Sequence, residues 1–264
     1  MKTLWMVLMA GVMISSCKLA DLSTAQAHED QSSRGKAILE GAMRAHGADK
    51  WDQIASYEGE MEDEFYGVMG NVANPHKANP VSVKLTLEPR TYGGMLHFQD
   101  QEAKDKAWGL EDGAGYSLNW AGERSNKRAK DALFWIPTYQ YFVEFPARIL
   151  EADVFRYTGT EDIKGRTCDR VFVSWNQVDP QKEFDQYLVW VDQESHLIQK
   201  VEYTVREAGG FLTGFIMLEE MKDFDGILLP TRMPVGSSLL KEGKWLHEMR
   251  IKGLVFTRTS LGKG

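Results

Sequence analysis

Polar and apolar residues alternate through most of the chain, and a period of two is the signature of half-buried strands. Across residues 54–66, Tyr57, Met61 and Phe65 share one face with Gly59 and Asp63, while Glu58, Glu60, Glu62 and Glu64 occupy the other. The acidic face reads as a solvated surface that discourages edge pairing, not as a cation site, since hard cations gather ligands from turning loops. Val81, Val83, Leu85 and Leu87 then alternate with Ser82, Lys84, Thr86 and Glu88, and Pro89 ends that run. Residues 91–99 and 107–110 are further strand candidates, and Asp112-Gly113 is a hairpin signal leading into 116–120. In the second half, 167–175, 186–192 and 197–206 predict consecutive strands, the last two joined through Asp192-Gln193-Glu194-Ser195. Leu197, Val201, Tyr203 and Val205 are set there against Lys200, Glu202, Thr204 and Arg206. Residues 214–222 and 227–230 follow, and a last strand over 244–257 turns Trp245, His247, Met249 and Ile251 inward, against Glu248, Arg250 and Lys252.

Two stretches depart from this period. Residues 33–45 predict an amphipathic helix capped by Ser33, with Ile38, Leu39, Ala42 and Met43 as its apolar stripe. His46 stands at its end, where free carbonyls need donors, and Gly47 suits the left-handed position beyond. The second stretch, residues 131–150 (DALFWIPTYQYFVEFPARIL), carries the aromatics Phe134, Trp135, Tyr139, Tyr141, Phe142 and Phe145. Leu133, Pro137, Tyr141, Phe145 and Ile149 follow one another at intervals of four, as on a helical face. Pro137 and Pro146 each remove a backbone donor, which predicts a kinked or broken helix. A segment apolar on nearly every side must be enclosed by the strands around it. Its aromatics are then either plain core or the lining of an apolar ligand site. The intervening 67–80, punctuated by Gly, Asn and Pro, is expected to be a loop long enough to serve as a flap.

No linker divides the chain after residue 33 and no repeat is visible, so 34–264 is expected to be a single domain. The fold class is α+β, mainly antiparallel β: a strongly curved open half-barrel sheet wrapped round internal helices, because each strand has one apolar face to cover. A net charge of −7 and a pI near 5.5 argue against nucleic acid as a partner. Cys17 and Cys168 are too far apart in sequence to suggest a disulfide framework or a zinc site. The six histidines are scattered singly, and His247-Glu248 lacks the second histidine of a zinc helix, with Ile251 in its place. Nucleophile-elbow, phosphate-loop and dinucleotide motifs are also absent, so no catalytic residue, metal or cofactor is assigned.

The N-terminus carries Lys2 and an apolar run from Leu4 to Ile14, the length of a signal-peptide core. It ends in Ile14-Ser15-Ser16-Cys17, which resembles the lipobox of bacterial lipoproteins and implies a signal peptide over 1–16 with acylation of Cys17. Several acyl chains at about 0.8 kcal/mol per buried methylene anchor firmly. Lys18, in place of an aspartate, implies by the same resemblance the outer membrane. Residues 17–33 would form a flexible tether. The alternative is cleavage after Ala25-Gln26-Ala27, giving a soluble periplasmic protein.

Tyr187-Leu188-Val189-Trp190-Val191-Asp192, the turn through Ser195-His196-Leu197-Ile198, and Leu228-Leu229-Pro230-Thr231-Arg232-Met233 together carry a resemblance. They are similar to the lipoprotein-localisation (Lol) carrier and receptor superfamily and to the wider outer-membrane lipoprotein-sorting-like proteins. The resemblance implies an open half-barrel with helices plugging its concave face and an apolar cavity for acyl chains. Three functions follow as expectations. The first is a non-catalytic, membrane-anchored binder of a lipid or other hydrophobic ligand, contacted by Phe134, Trp135, Tyr139, Tyr141 and Phe142. The second is a scaffolding lipoprotein with a filled core. The third is a hydrolase or isomerase of an apolar substrate with Asp63, the carboxylate on an apolar strand face, as its base.

Overall fold

The computed structural model describes residues 19–23, 31–76, 78–100, 103–206, 210–241 and 243–259. Helix α1 (Ser32–Ala45) and a 3₁₀ turn (Ala48–Gln53) lead into strand β1 (Ile54–Phe65), helix α2 (Gly67–Ala73) and strands β2 (Val81–Leu87) and β3 (Gly94–Phe98). Strands β4 (Ala107–Glu111), β5 (Ala114–Leu118) and the short β6 (Arg124–Ser125) precede helix α3 (Ala129–Arg148). After α3 come β7 (Val154–Ile163), β8 (Arg166–Ser174), β9 (Tyr187–Asp192), β10 (Ile198–Val205), β11 (Leu212–Met217), β12 (Glu219–Phe224), β13 (Ile227–Ser237) and β14 (His247–Arg258).

The strands form one antiparallel sheet in the order β6-β5-β4-β3-β2-β1-β14-β13-β11-β10-β9-β8-β7, with β12 added to β13. Edges β6 and β7 do not pair, so the sheet is an open half-barrel, as its alternation predicts. Within each half consecutive strands pair, except that β11 and β12 follow one another along β13, and among the described strands β1 against β14 joins the two halves. Inward side chains such as Tyr57, Met61, Val83, Leu85, Val171, Val189, Val201 and Met249 share one core with the helices. Helix α1 covers β7 to β9, and α3 covers β3 to β5. A smaller cluster lies on the convex face, where Leu22 packs on Cys168, Phe172, Leu188 and Trp190. Burial there pushes the Cys168 thiol up to about 11, in keeping with an inert cysteine.

Several local expectations are corrected. Ser33 is not the cap of α1; Gln31 holds that position and makes no side-chain capping bond. Residues 67–73 are helical because Gly70 lets α2 close onto the Leu246 carbonyl, an approach that a Cβ would prevent. Helix α3 runs unbroken through Pro137 and Pro146, since burial against the sheet outweighs the two lost hydrogen bonds. The stretch 214–222 divides between two strands, with β12 paired to β13 alone. Trp245 precedes the last strand and packs on Phe215 of the convex face (centroids 5.8 Å apart) instead of pointing inward. Thr204 is buried, not outward, because its hydroxyl accepts from the Gln186 N–H at 2.9 Å and donates to Asp185 at 2.8 Å.

Candidate functional site

Helix α3 is the element enclosed by the concave face, and buried polar contacts as well as aromatic packing hold it there. Asp63 faces it from β1 with no exposed surface. One carboxylate oxygen accepts from the Tyr139 hydroxyl at 2.8 Å, and the other pairs with His247 Nδ1 at 2.7 Å. His247 comes from β14, whose register sets it directly opposite Phe65, and the two rings stack with centroids 5.1 Å apart. Trp135 of α3 closes over both rings edge-on, 5.9 Å from each. His76 lies on the other side of Trp135, stacked on Trp108 and 4.7 Å from both Trp108 and Phe98. Burial pulls the His76 imidazole down to about 4, and its Nε2 has no hydrogen-bond partner. Burial and the neighbouring Asp63 charge push the Tyr139 phenol well above its usual range, so it remains a donor.

One helical turn further, Glu144 is a second buried carboxylate. It accepts from Tyr57 at 2.9 Å, from Gln140 at 2.8 Å and from the Arg90 N–H at 3.0 Å, with Arg148 3.7 Å away. Burial raises its pKa against the pull of those donors, so it holds its proton more tightly than a free carboxyl. Carboxylates so fully engaged are positioning groups. Asp63 spends both oxygens on protein partners, and a base role would require breaking one of those bonds.

Aromatics continue from α3 toward one rim of the half-barrel. Phe142 packs on Tyr203 (5.5 Å), Tyr141 and Phe145 on Tyr187 (6.0 Å each), Tyr187 on Trp175 (5.7 Å), and Trp175 on Phe184 (6.1 Å). Phe184 is partly exposed, so an unbroken path of rings runs from solvent to the middle of α3. Of the five residues expected to contact a ligand, Trp135, Tyr139 and Phe142 are buried, Tyr141 is half-buried and Phe134 is 39% exposed. Phe134 and Leu133 form an apolar shelf beside Trp135, the two rings lying 5.3 Å apart. Cys17 lies outside the described residues. Grooves of about 680 Å³ between α1, β8 and β9 and about 520 Å³ beside β11 and β12 are lined by residues other than these aromatics. Among the described residues no three His, Cys, Asp or Glu side chains gather as a metal-binding group.

Inner-face histidine and carboxylate positions on β14 and β1 are visible in the alternation, but their pairing across 184 residues is not. His76 and Glu144 left no signal: one sits in an expected loop, the other within an apolar helix.

An open antiparallel half-barrel with a helix in its concavity defines a fold class, and solved structures of that class superpose on this chain. A domain described as outer membrane lipoprotein-sorting, from Vibrio parahaemolyticus, matches 87% of this chain and 95% of its own at a TM-score of 0.53 and 14% identity. A LolA superfamily protein from Nitrosomonas europaea matches 83% and 92% at a TM-score of 0.52 and 13% identity. The fold is therefore the one expected from the turn motifs. No family model and no curated protein matches the sequence.

Proposed function

We propose that this protein is a non-catalytic, membrane-anchored envelope lipoprotein that binds a lipid or other hydrophobic ligand against the aromatic face of α3. The observation that carries this reading is the ring path from exposed Phe184 to Phe142, ending on a helix whose Phe134 and Leu133 remain partly open. Aromatic walls bury large apolar areas without demanding a particular partner. Phe134, Trp135, Tyr139, Tyr141 and Phe142 are its contacts, and the acylated Cys17 its anchor on the periplasmic face of the outer membrane. The fold shared with lipoprotein-sorting and LolA superfamily structures supports the reading.

A scaffolding role is favoured instead by one observation, the complete burial of Ile136, Tyr139 and Gln140 in the concavity. A Cys17→Ala chain lacking residues 1–16, purified without detergent, separates the two by mass spectrometry of its organic extract. Stoichiometric lipid is the expected result. Nothing bound, together with failed reloading, would leave the filled scaffold.

A further inference from the structure

The two rims of the half-barrel differ. At one end lie the loops β2–β3, β4–β5, β7–β8, β9–β10 and β12–β13, and among their described residues no large hydrophobic side chain is exposed. At the other end, loop after loop carries one. Helix α2 in the β1–β2 connection exposes Val68 and Val72, each 82% accessible, and Met69. Trp120 stands in the β5–β6 turn, Phe184 between β8 and β9, Phe211 before β11, and Leu239 between β13 and β14.

Several of these tips are physically joined. Helix α2 rests on the carbonyl of Leu246, and the Tyr66 N–H donates to that same carbonyl at 2.9 Å. Ser238, next to Leu239, bonds Thr213, two residues from Phe211. Lys241 and Lys244 flank Glu242 and precede Trp245, a cationic and aromatic edge of the kind found at bilayer interfaces.

The N-terminal segment ends on this same rim. The Ala20 N–H donates to the Gly210 carbonyl at 2.8 Å, and Leu19 sits against Gly210, the neighbour of Phe211. Leu22 is pinned to the convex face by Phe172 and Trp190, and its N–H donates to Gln186 Oε1 at 2.8 Å. Cys17 stands two residues before Leu19, within about 7 Å of extended chain.

We infer that this rim is a membrane-docking surface: its apolar tips enter the interface of the bilayer that holds the acylated Cys17, with the half-barrel standing on end. The inference rests on the acylation proposed above. Docking would also set the exposed end of the Phe184 ring path against lipid, so that an apolar ligand could pass between bilayer and concave face without crossing water.

The test uses the full acylated chain in phosphatidylethanolamine–phosphatidylglycerol vesicles. An environment-sensitive dye is placed at Val72→Cys or Leu239→Cys on the rim, or at Lys164→Cys on the opposite end. All three sites are exposed, so the fold is not at stake. Cys168 is buried and its thiol is pushed up, so it escapes labelling. Blue-shifted emission and at least threefold weaker iodide quenching at residues 72 and 239 than at 164 are expected. Equal quenching at both ends of an acylated chain overturns the docking surface. A mass showing no acyl groups, with Cys17 itself labelled, instead removes the anchor on which the inference depends.

Discussion

A carboxylate set among apolar neighbours must find donors or leave the core, and Asp63 finds two. Its anomaly is legible in the alternation of β1, and so is the inward position of His247 on β14. Their union is not legible, because register between the first and last strands is a property of the folded sheet. His76 is the less expected residue, an imidazole between Phe98 and Trp108 in a stretch that reads as loop. Burial lowers its folded value to about 4 from an ordinary 6.5, so the unfolded chain binds the proton first as pH falls. The stabilising contribution is complete above pH 6.5 and is lost as pH drops through the window toward 4. A His76→Phe chain keeps the stacked ring without the titration. Its urea-unfolding free energy should therefore fall by on the order of 2 kcal/mol less than the parent's between pH 7 and 4.5. Identical pH dependence in the two chains would mean that His76 is protonated without cost.

At the scale of elements, the strands were readable because one face of each is buried, and a period of two survives any tertiary context that keeps the sheet. Helices carry a weaker signal. Helix α2 exposes Val68 and Val72 and makes no amphipathic pattern toward a core, so only its seat on Leu246 explains it. In α3 the prolines predict a kink or a break, and packing keeps the helix continuous through both. Curvature was equally hidden. On the convex face the Phe215 ring lies over Gly236, its direct cross-strand partner, where a Cβ would come within 2.2 Å of the ring. Tyr116 covers Gly109 in the same way on β4 and β5. A Gly236→Val substitution should cost about 1–3 kcal/mol of unfolding free energy by overpacking. Adding Phe215→Ala should recover part of it; an unchanged urea midpoint for the single variant would show that the ring moves freely aside.

Over the whole molecule, the open half-barrel and its enclosed aromatic helix follow from pattern and composition, together with the turn motifs that resemble lipoprotein-sorting proteins. Which loops share a rim does not follow, because it depends on how the hairpins stack across a sheet whose middle joins residues 54–65 to 247–258. That stacking collects the exposed hydrophobics beside the N-terminal segment and leads a path of rings inward to α3. Function depends on whether an apolar molecule uses that helix. The most direct measurement is equilibrium uptake of a fluorescent fatty acid or phospholipid by a delipidated Cys17→Ala chain lacking residues 1–16, compared with the same chain carrying Phe134→Ala. Phe134 is partly exposed and its truncation should leave the fold intact. Saturable uptake near one molecule per chain, weakened about tenfold by the substitution, which corresponds to about 1.4 kcal/mol, is the predicted result. A folded chain that shows no saturable uptake, with or without Phe134, would contradict the ligand-binding account and leave a protein whose aromatic helix is simply its core.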